Sequence, residues 1–169
     1  MTAPRTRRRF APLLLLAAAL AALAAGAPLA GCSRAPRSER WATQVARAHR
    51  EADRRLDAGD ARGARARLLA LVDAEGGRAA SDSARRLALQ DTYFRLAQLA
   101  LVEHEPRQAL SYADAGLAYG TAPHLFVANL LVARAAAQEA AGDPNAAAAD
   151  YHRALTMNEA LLAEALSGR

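Results

Sequence analysis

The chain has 169 residues, 53% of them hydrophobic, and its 48 alanines favour helices over the strands that β-branched and aromatic residues would form. Its one cysteine, Cys32, excludes a disulfide framework and a cysteine-rich metal site. All 22 cations are arginine, and four of them lie within the first ten residues. Residues 32–169 therefore carry 22 − 4 = 18 cations against 17 acids. This near balance argues against a nucleic-acid binder, which needs an excess of cations on one face.

The first predicted segment, residues 1–31, has the pattern of an export signal. Arginines at positions 5 and 7–9 precede Ala11–Ala30, an uncharged stretch rich in alanine and leucine. Positive charge resists translocation, so the arginines are expected to stay cytoplasmic while the apolar stretch enters the membrane. An uncleaved single-span anchor is the alternative, because about 20 apolar residues can cross a bilayer.

The signal ends in Leu29-Ala30-Gly31-Cys32, which resembles the lipobox of bacterial lipoproteins. The resemblance implies cleavage between Gly31 and Cys32, and lipidation of the Cys32 thiol. Ser33 after the cysteine, by the same resemblance, favours the outer membrane, with the protein facing the periplasm. Residues 32–40 are then the lipidated cysteine and a short polar tether.

The export route stays open between two alternatives. Thr6-Arg7-Arg8-Arg9-Phe10 resembles the twin-arginine motif, which would imply export of a folded domain. Sec export is the alternative, because arginine-rich signals match this motif by chance.

Six helices are predicted beyond the tether. Apolar residues at helical spacing begin at Trp41 and stop at the break Ala58-Gly59-Asp60. At a second break, Gly142 is suited to end one helix. Asp143 is suited to cap the next helix, and Pro144 to occupy its first position. The other five helices are predicted between such breaks, over 61–73, 82–103, 107–119, 124–141 and 144–166. Short connections pair the six helices into three antiparallel hairpins.

The hairpins repeat along the sequence. Ala64, Ala109 and Ala147 fall in one column when the hairpins are aligned, 45 and 38 residues apart. The middle unit, with Tyr93, Leu96, Ala97 and Ala100 before Ala109, resembles the tetratricopeptide repeat. The resemblance implies an all-α fold of three stacked antiparallel hairpins, a solenoid over residues 41–169. An irregular alanine-rich bundle of six helices is the alternative.

Residues suited to catalysis are few. No two of the four histidines have the spacing of a metal-binding helix, and neither a phosphate-binding loop nor a serine elbow occurs. We therefore expect a protein that is not an enzyme and holds no cofactor and no metal. The alternative is an enzyme or accessory subunit of the envelope that uses His49 and Asp53, which lie four residues apart on a predicted helix.

The tetratricopeptide resemblance implies a groove lined by the first helix of each hairpin. Matching positions include Phe94, which would serve equally well as a core residue. Such a groove would suit an extended peptide with basic or apolar side chains, and the predicted function is a lipid-anchored envelope scaffold or adaptor, with assembly or secretion among its roles. The groove candidates are His49, Asp53, Asp91, Phe94, Gln98, Asn129 and Glu139.

Two further predictions concern the surface. Arg54, Arg55, Arg62, Arg65 and Arg67 alternate with acids, which predicts an ion-paired solvated face and no nucleic-acid partner. The last helix carries leucines at 161, 162 and 166. Repeat arrays usually end in a polar capping helix, so we expect these leucines to pack on a partner, on a second copy or on the first helix.

Overall fold

The computed structural model describes residues 37–75 and 82–168, and the account below concerns the compact unit Ser38–Arg169. This part of the chain consists of helices joined by short turns and contains no strand, which confirms the all-α prediction. The predicted cleavage site and Cys32 lie outside the described residues. The helices are α1 Arg37–Asp57, α2 Ala61–Glu75, α3 Ser83–Val102, α4 Pro106–Leu117, α5 Leu125–Ala140 and α6 Pro144–Ser167.

The predicted turns end and begin the helices where expected. Gly59 adopts a left-handed φ of +78° after α1, and Asp60 then accepts a 2.8 Å hydrogen bond from the Gly63 N–H. Gly142 has a φ of +89° after α5, and Asp143 accepts a 3.0 Å hydrogen bond from the Ala146 N–H. These contacts satisfy backbone groups that every helix end leaves without a partner.

The predicted helix boundaries lie within two residues of the observed ones, except at the start of α1. α1 begins at Arg37, four residues before Trp41, and so includes the end of the predicted tether. The sequence directly before Trp41 has no apolar residue at helical spacing, so the pattern that predicted this helix begins only at Trp41. His124, predicted to begin a helix, is instead the N-cap of α5: its Nδ1 accepts a 3.2 Å hydrogen bond from the Phe126 N–H.

Small residues allow the helices to approach closely. Consecutive helices from α2 to α6 contact each other, and α3 also contacts α5. Between α3, α4 and α5 the buried residues of two clusters are alanines, Ala97 with Ala113 and Ala133, and Ala100 with Ala109 and Ala137. Larger, partly buried side chains pack against them: Phe94, Leu101, Leu110 and Tyr112. Two further core clusters contain leucine and valine as well as alanine. One joins α1, α2 and α3 (Ala52, Ala64, Leu68, Leu96, Leu99), and the other joins α4, α5 and α6 (Leu117, Val127, Leu130, Leu131, Ala154).

Part of the arginine-rich face of α1 and α2 forms ion pairs. Arg55 lies 2.9 Å from Asp60 and 3.2 Å from Glu51. Arg65 pairs with Glu103 and lies 2.5 Å from Glu105. The predicted pairing is therefore seen for these two arginines and, at 3.9 Å from Glu51, for Arg67.

Within residues 37–75 and 82–168, no helix combines the length and the apolar character needed to cross a bilayer.

Candidate functional site

A surface pocket of about 280 Å³ lies where three helices meet, α1, α3 and α5. These are the first helices of the three hairpins. Apolar side chains form most of its wall, and His49 and Asp91 are its ionisable residues. Its lining residues are Trp41, Ala42, Val45, Ala46, His49, Ala88, Asp91 and Phe126.

His49 bridges α1 and α3 through both of its ring nitrogens. Its Nε2 lies 2.9 Å from Thr92 Oγ1, and Thr92 Oγ1 lies 2.7 Å from the Ala88 carbonyl, to which it donates. Whether Nε2 donates to this oxygen or accepts from it depends on the tautomer of the ring. On the other side of the ring, Nδ1 lies 3.2 Å from Asp91 Oδ2. The imidazole is only 9% exposed, so its position between the two helices is fixed.

Arg95 extends this contact into a charged network. Its Nε donates to Asp91 at 3.2 Å and its Nη1 donates to Asp53 Oδ1 at 2.8 Å. The structure thus brings three of the predicted groove residues, His49, Asp53 and Asp91, into one cluster. Sequence reasoning missed Arg95, although its position four residues after Asp91 on one helix is a signal for an ion pair.

Burial and the neighbouring charges shift the pKa of His49 in opposite directions. Burial lowers the pKa of His49 below its ordinary value and is the largest effect, because it disfavours the charged ring. The carboxylate of Asp91 opposes this change, whereas Arg95 adds to it. The net direction is downward, which favours a neutral imidazole at pH 7.

Two aromatic side chains, Trp41 and Phe126, also line the pocket. The Trp41 ring lies under the Arg85 guanidinium, whose Cζ is 4.8 Å from the ring centroid. Arg85 is itself held by Glu75 and by Asp82. The buried Trp41 Nε1 has no hydrogen-bond acceptor among residues 37–75 and 82–168. Neither Trp41 nor Phe126 was among the groove candidates, since the helical pattern assigned Trp41 to the inner stripe of its helix.

The four remaining candidates lie away from this pocket. Phe94 is half-buried and packs against Ala97, Ala113 and Ala133, as a core residue would. Gln98 is exposed on α3, and Asn129 is half-buried on α5. Glu139 is exposed near the end of α5 and accepts a 3.2 Å hydrogen bond from the Tyr151 hydroxyl. Their roles in a groove stay predictions.

The predicted pairing of His49 with Asp53 takes a different form. Asp53 binds Arg95, and the ring of His49 contacts Thr92 and Asp91. Within the part of the chain that the structure describes, no three His, Cys, Asp or Glu side chains are grouped as metal ligands.

Comparisons with known proteins leave the chain without an assigned family. No protein-family model matches it, and neither a curated protein nor a solved structure is significantly similar to it. Its function is therefore argued from its own residues.

Proposed function

We propose that this chain is a lipid-anchored scaffold or adaptor of the bacterial envelope. Its helical domain is a tetratricopeptide-like solenoid that binds a protein partner through a groove formed by α1, α3 and α5. The observation that carries the proposal is the pocket shared by these three helices, which come first in their hairpins and are separated along the chain by α2 and α4.

The stacking of equivalent hairpins is supported by the helix contacts. α3 packs on its own partner α4 and also on α5, the first helix of the next hairpin. The three alanines that align in sequence, Ala64, Ala109 and Ala147, are all buried, at 0%, 0% and 2% exposure. A small residue at this place in each second helix permits the close approach that a repeating stack needs.

The pocket has the chemistry of a peptide site. Trp41 and Phe126 offer apolar surface to a side chain of the ligand. Asp91 and Asp53 share Arg95 as their partner, which leaves an excess of one negative charge in this cluster. We therefore expect a peptide that carries a basic residue beside an apolar one. Neither a cofactor nor a catalytic step is part of the proposal.

The anchor is proposed from the sequence alone. Leu29-Ala30-Gly31-Cys32 follows a positively charged and then apolar segment, and Cys32 is the single thiol of the chain. Two acyl chains would hold the protein stably on a membrane, where one chain would be marginal. The tether is short, so the groove would lie close to the membrane, with the outer membrane favoured.

Position-specific crosslinking in intact cells tests the groove. A photoreactive residue replaces Ala46, which lines the pocket, or Ala66, an exposed alanine of α2 that serves as the matched control. We expect a discrete adduct with one envelope protein from position 46 and none from position 66. Adding Phe126→Ala should remove that adduct while the helical circular dichroism is retained. Equal labelling at both positions, or an adduct insensitive to Phe126→Ala, would contradict groove binding.

A further inference from the structure

The pocket between α1, α3 and α5 has one carboxylate in its lining, that of Asp91. His49 contacts this carboxylate through Nδ1 and Arg95 through Nε, and both nitrogens lie 3.2 Å from the same oxygen, Oδ2. The other oxygen, Oδ1, accepts no hydrogen bond from residues 37–75 and 82–168. Because the Asp91 side chain is 20% exposed, Oδ1 is left as an acceptor for a ligand in the pocket.

The charges next to the pocket are complementary to a cation. Asp53 and Asp91 share the single cation Arg95, and the lowered pKa of His49 favours its neutral form at pH 7. This cluster therefore has an excess of one negative charge. The arginine stacked on Trp41 does not offset it, because that arginine is paired with two carboxylates of its own (Arg85 with Glu75 and Asp82). A positively charged group of a ligand is attracted to such a site.

The single free oxygen distinguishes between the two basic side chains. An arginine guanidinium binds a carboxylate best through two parallel hydrogen bonds, which need both carboxylate oxygens. Oδ2 of Asp91 is already bound, so arginine has no such advantage here. A lysine ammonium is a compact charge that one oxygen can bind, and its apolar stem can lie along apolar surface. Trp41, Val45 and Ala88 provide such surface in the same pocket.

We propose that the pocket binds a lysine side chain of the partner peptide, with Asp91 Oδ1 as the acceptor that specifies it. The stem of the lysine lies against the apolar wall formed by α1 and α3. Phe126, which α5 contributes to the lining, contacts the apolar neighbour of the lysine. This inference deepens the proposed groove function and rests on it, since both concern the same pocket.

Peptide selection tests which side chain the pocket recognises. The full chain in a mild non-ionic detergent is the bait, and a display library of random peptides is the probe. We expect the selected peptides to share a lysine beside an apolar residue. Asp91→Asn removes the charge of the acceptor and should abolish the enrichment of lysine. The matched control is Asp57→Asn, which changes an exposed acid of α1 outside the pocket lining and should leave the enrichment unchanged.

A selected peptide then measures the contact itself by fluorescence anisotropy. Replacing its lysine by norleucine keeps an unbranched apolar stem and removes the ammonium. Binding to the wild type should weaken roughly 10- to 100-fold, as expected for the loss of a hydrogen bond to a charged group. The same replacement should have little effect on binding to Asp91→Asn, because the charge of the acceptor is already absent. Replacing the lysine by arginine should also weaken binding to the wild type.

A second pair of variants leaves the contacts of Asp91 untouched. Ala42 is exposed and lines the pocket, whereas Gln44 is exposed and lies outside the lining. Ala42→Lys should weaken binding of the lysine peptide about 10-fold through repulsion between like charges, and Gln44→Lys should have little effect. Circular dichroism should be unchanged in both variants, because neither position is buried.

The outcomes separate this inference from the groove on which it rests. Binders without lysine enrichment, or an equal effect of norleucine on the wild type and on Asp91→Asn, would overturn lysine recognition and leave the groove supported. An arginine peptide that binds as tightly as the lysine peptide would overturn the selection by a single oxygen. A library that yields no binder to the wild type would contradict the peptide groove and this inference together.

Discussion

Arg134 shows how one polar residue fits into an otherwise alanine- and leucine-rich interior. It donates two hydrogen bonds of 2.6 and 2.8 Å to Asp150 of α6. A third, of 3.0 Å, goes to Asp114 of α4. The hydrogen bonds that Arg134 donates to these carboxylates raise its pKa and keep it charged. The residue therefore ties three helices together by paired charge.

The two carboxylates that bind Arg134 differ in burial, and their removal should differ in cost. The Asp150 side chain is 6% exposed and that of Asp114 is 55% exposed. Asp150→Ala leaves a largely buried guanidinium without its main partner, so we expect a loss of about 3–5 kcal/mol in the free energy of unfolding. Asp114→Ala, the matched control, should lose less than about 1 kcal/mol, because exposed ion pairs contribute little. Urea unfolding measures both, and equal losses would contradict this account.

His49 should make stability depend on pH. Its pKa is lowered in the folded state, so the unfolded chain binds the proton more readily. Stability is then fully present above the unfolded pKa of about 6.5 and falls as the pH drops below it, by at most about 1.4 kcal/mol per pH unit for one proton. His124, whose pKa burial also lowers, contributes in the same direction.

Urea unfolding at pH 7.5 and at pH 5 measures this dependence. His49→Gln should reduce the difference in unfolding free energy between the two pH values, whereas the exposed His152→Gln should leave it unchanged. Should His49→Gln retain the full wild-type difference, the assigned role of this histidine would be wrong.

At the scale of the helices, the sequence was most informative where structure is local. Asp60 and Asp143 were identified as caps because capping depends on residues within one turn. The start of α1 was misplaced because the sequence directly before Trp41 has no apolar pattern that would reveal a helix. Phe126 was missed as a pocket residue because its position depends on how α5 packs against α1 and α3. Such contacts link distant residues, and a single sequence carries no direct signal for them.

Gly116 of α4 is a helical position where packing overrides helix propensity. A Cβ there would lie 2.7 Å from Leu130 Cδ2 and 2.9 Å from Tyr93 Cβ. Gly→Ala usually stabilises a helix by about 1 kcal/mol. For Gly116→Ala we expect a net loss of up to about 2 kcal/mol instead, since overpacking costs about 1–3 kcal/mol.

A double-mutant cycle with Leu130→Val separates overpacking from propensity. Valine lacks the two Cδ atoms that a new Cβ would meet, so the double variant should lose less stability than the sum of the single variants. Strict additivity in urea unfolding, or a more stable Gly116→Ala, would contradict close packing at this position.

For the whole molecule, the predicted outline and the described structure agree in fold class. Alanine-rich hairpins build the domain, and its pocket lies where the first helices of the hairpins meet. Arg65, Arg95 and Arg134 each pair with a carboxylate from another part of the fold.

The in-cell crosslinking comparison between Ala46 and Ala66, combined with the mass of the N-terminal peptide from the same captured chain, tests the central claim most directly. The account predicts an N-terminal peptide that begins at a lipid-modified Cys32, together with one partner captured from position 46 and lost with Phe126→Ala. A chain that retains Met1 and an unmodified Cys32, or that captures no partner preferentially from position 46, would contradict the anchored, groove-binding scaffold.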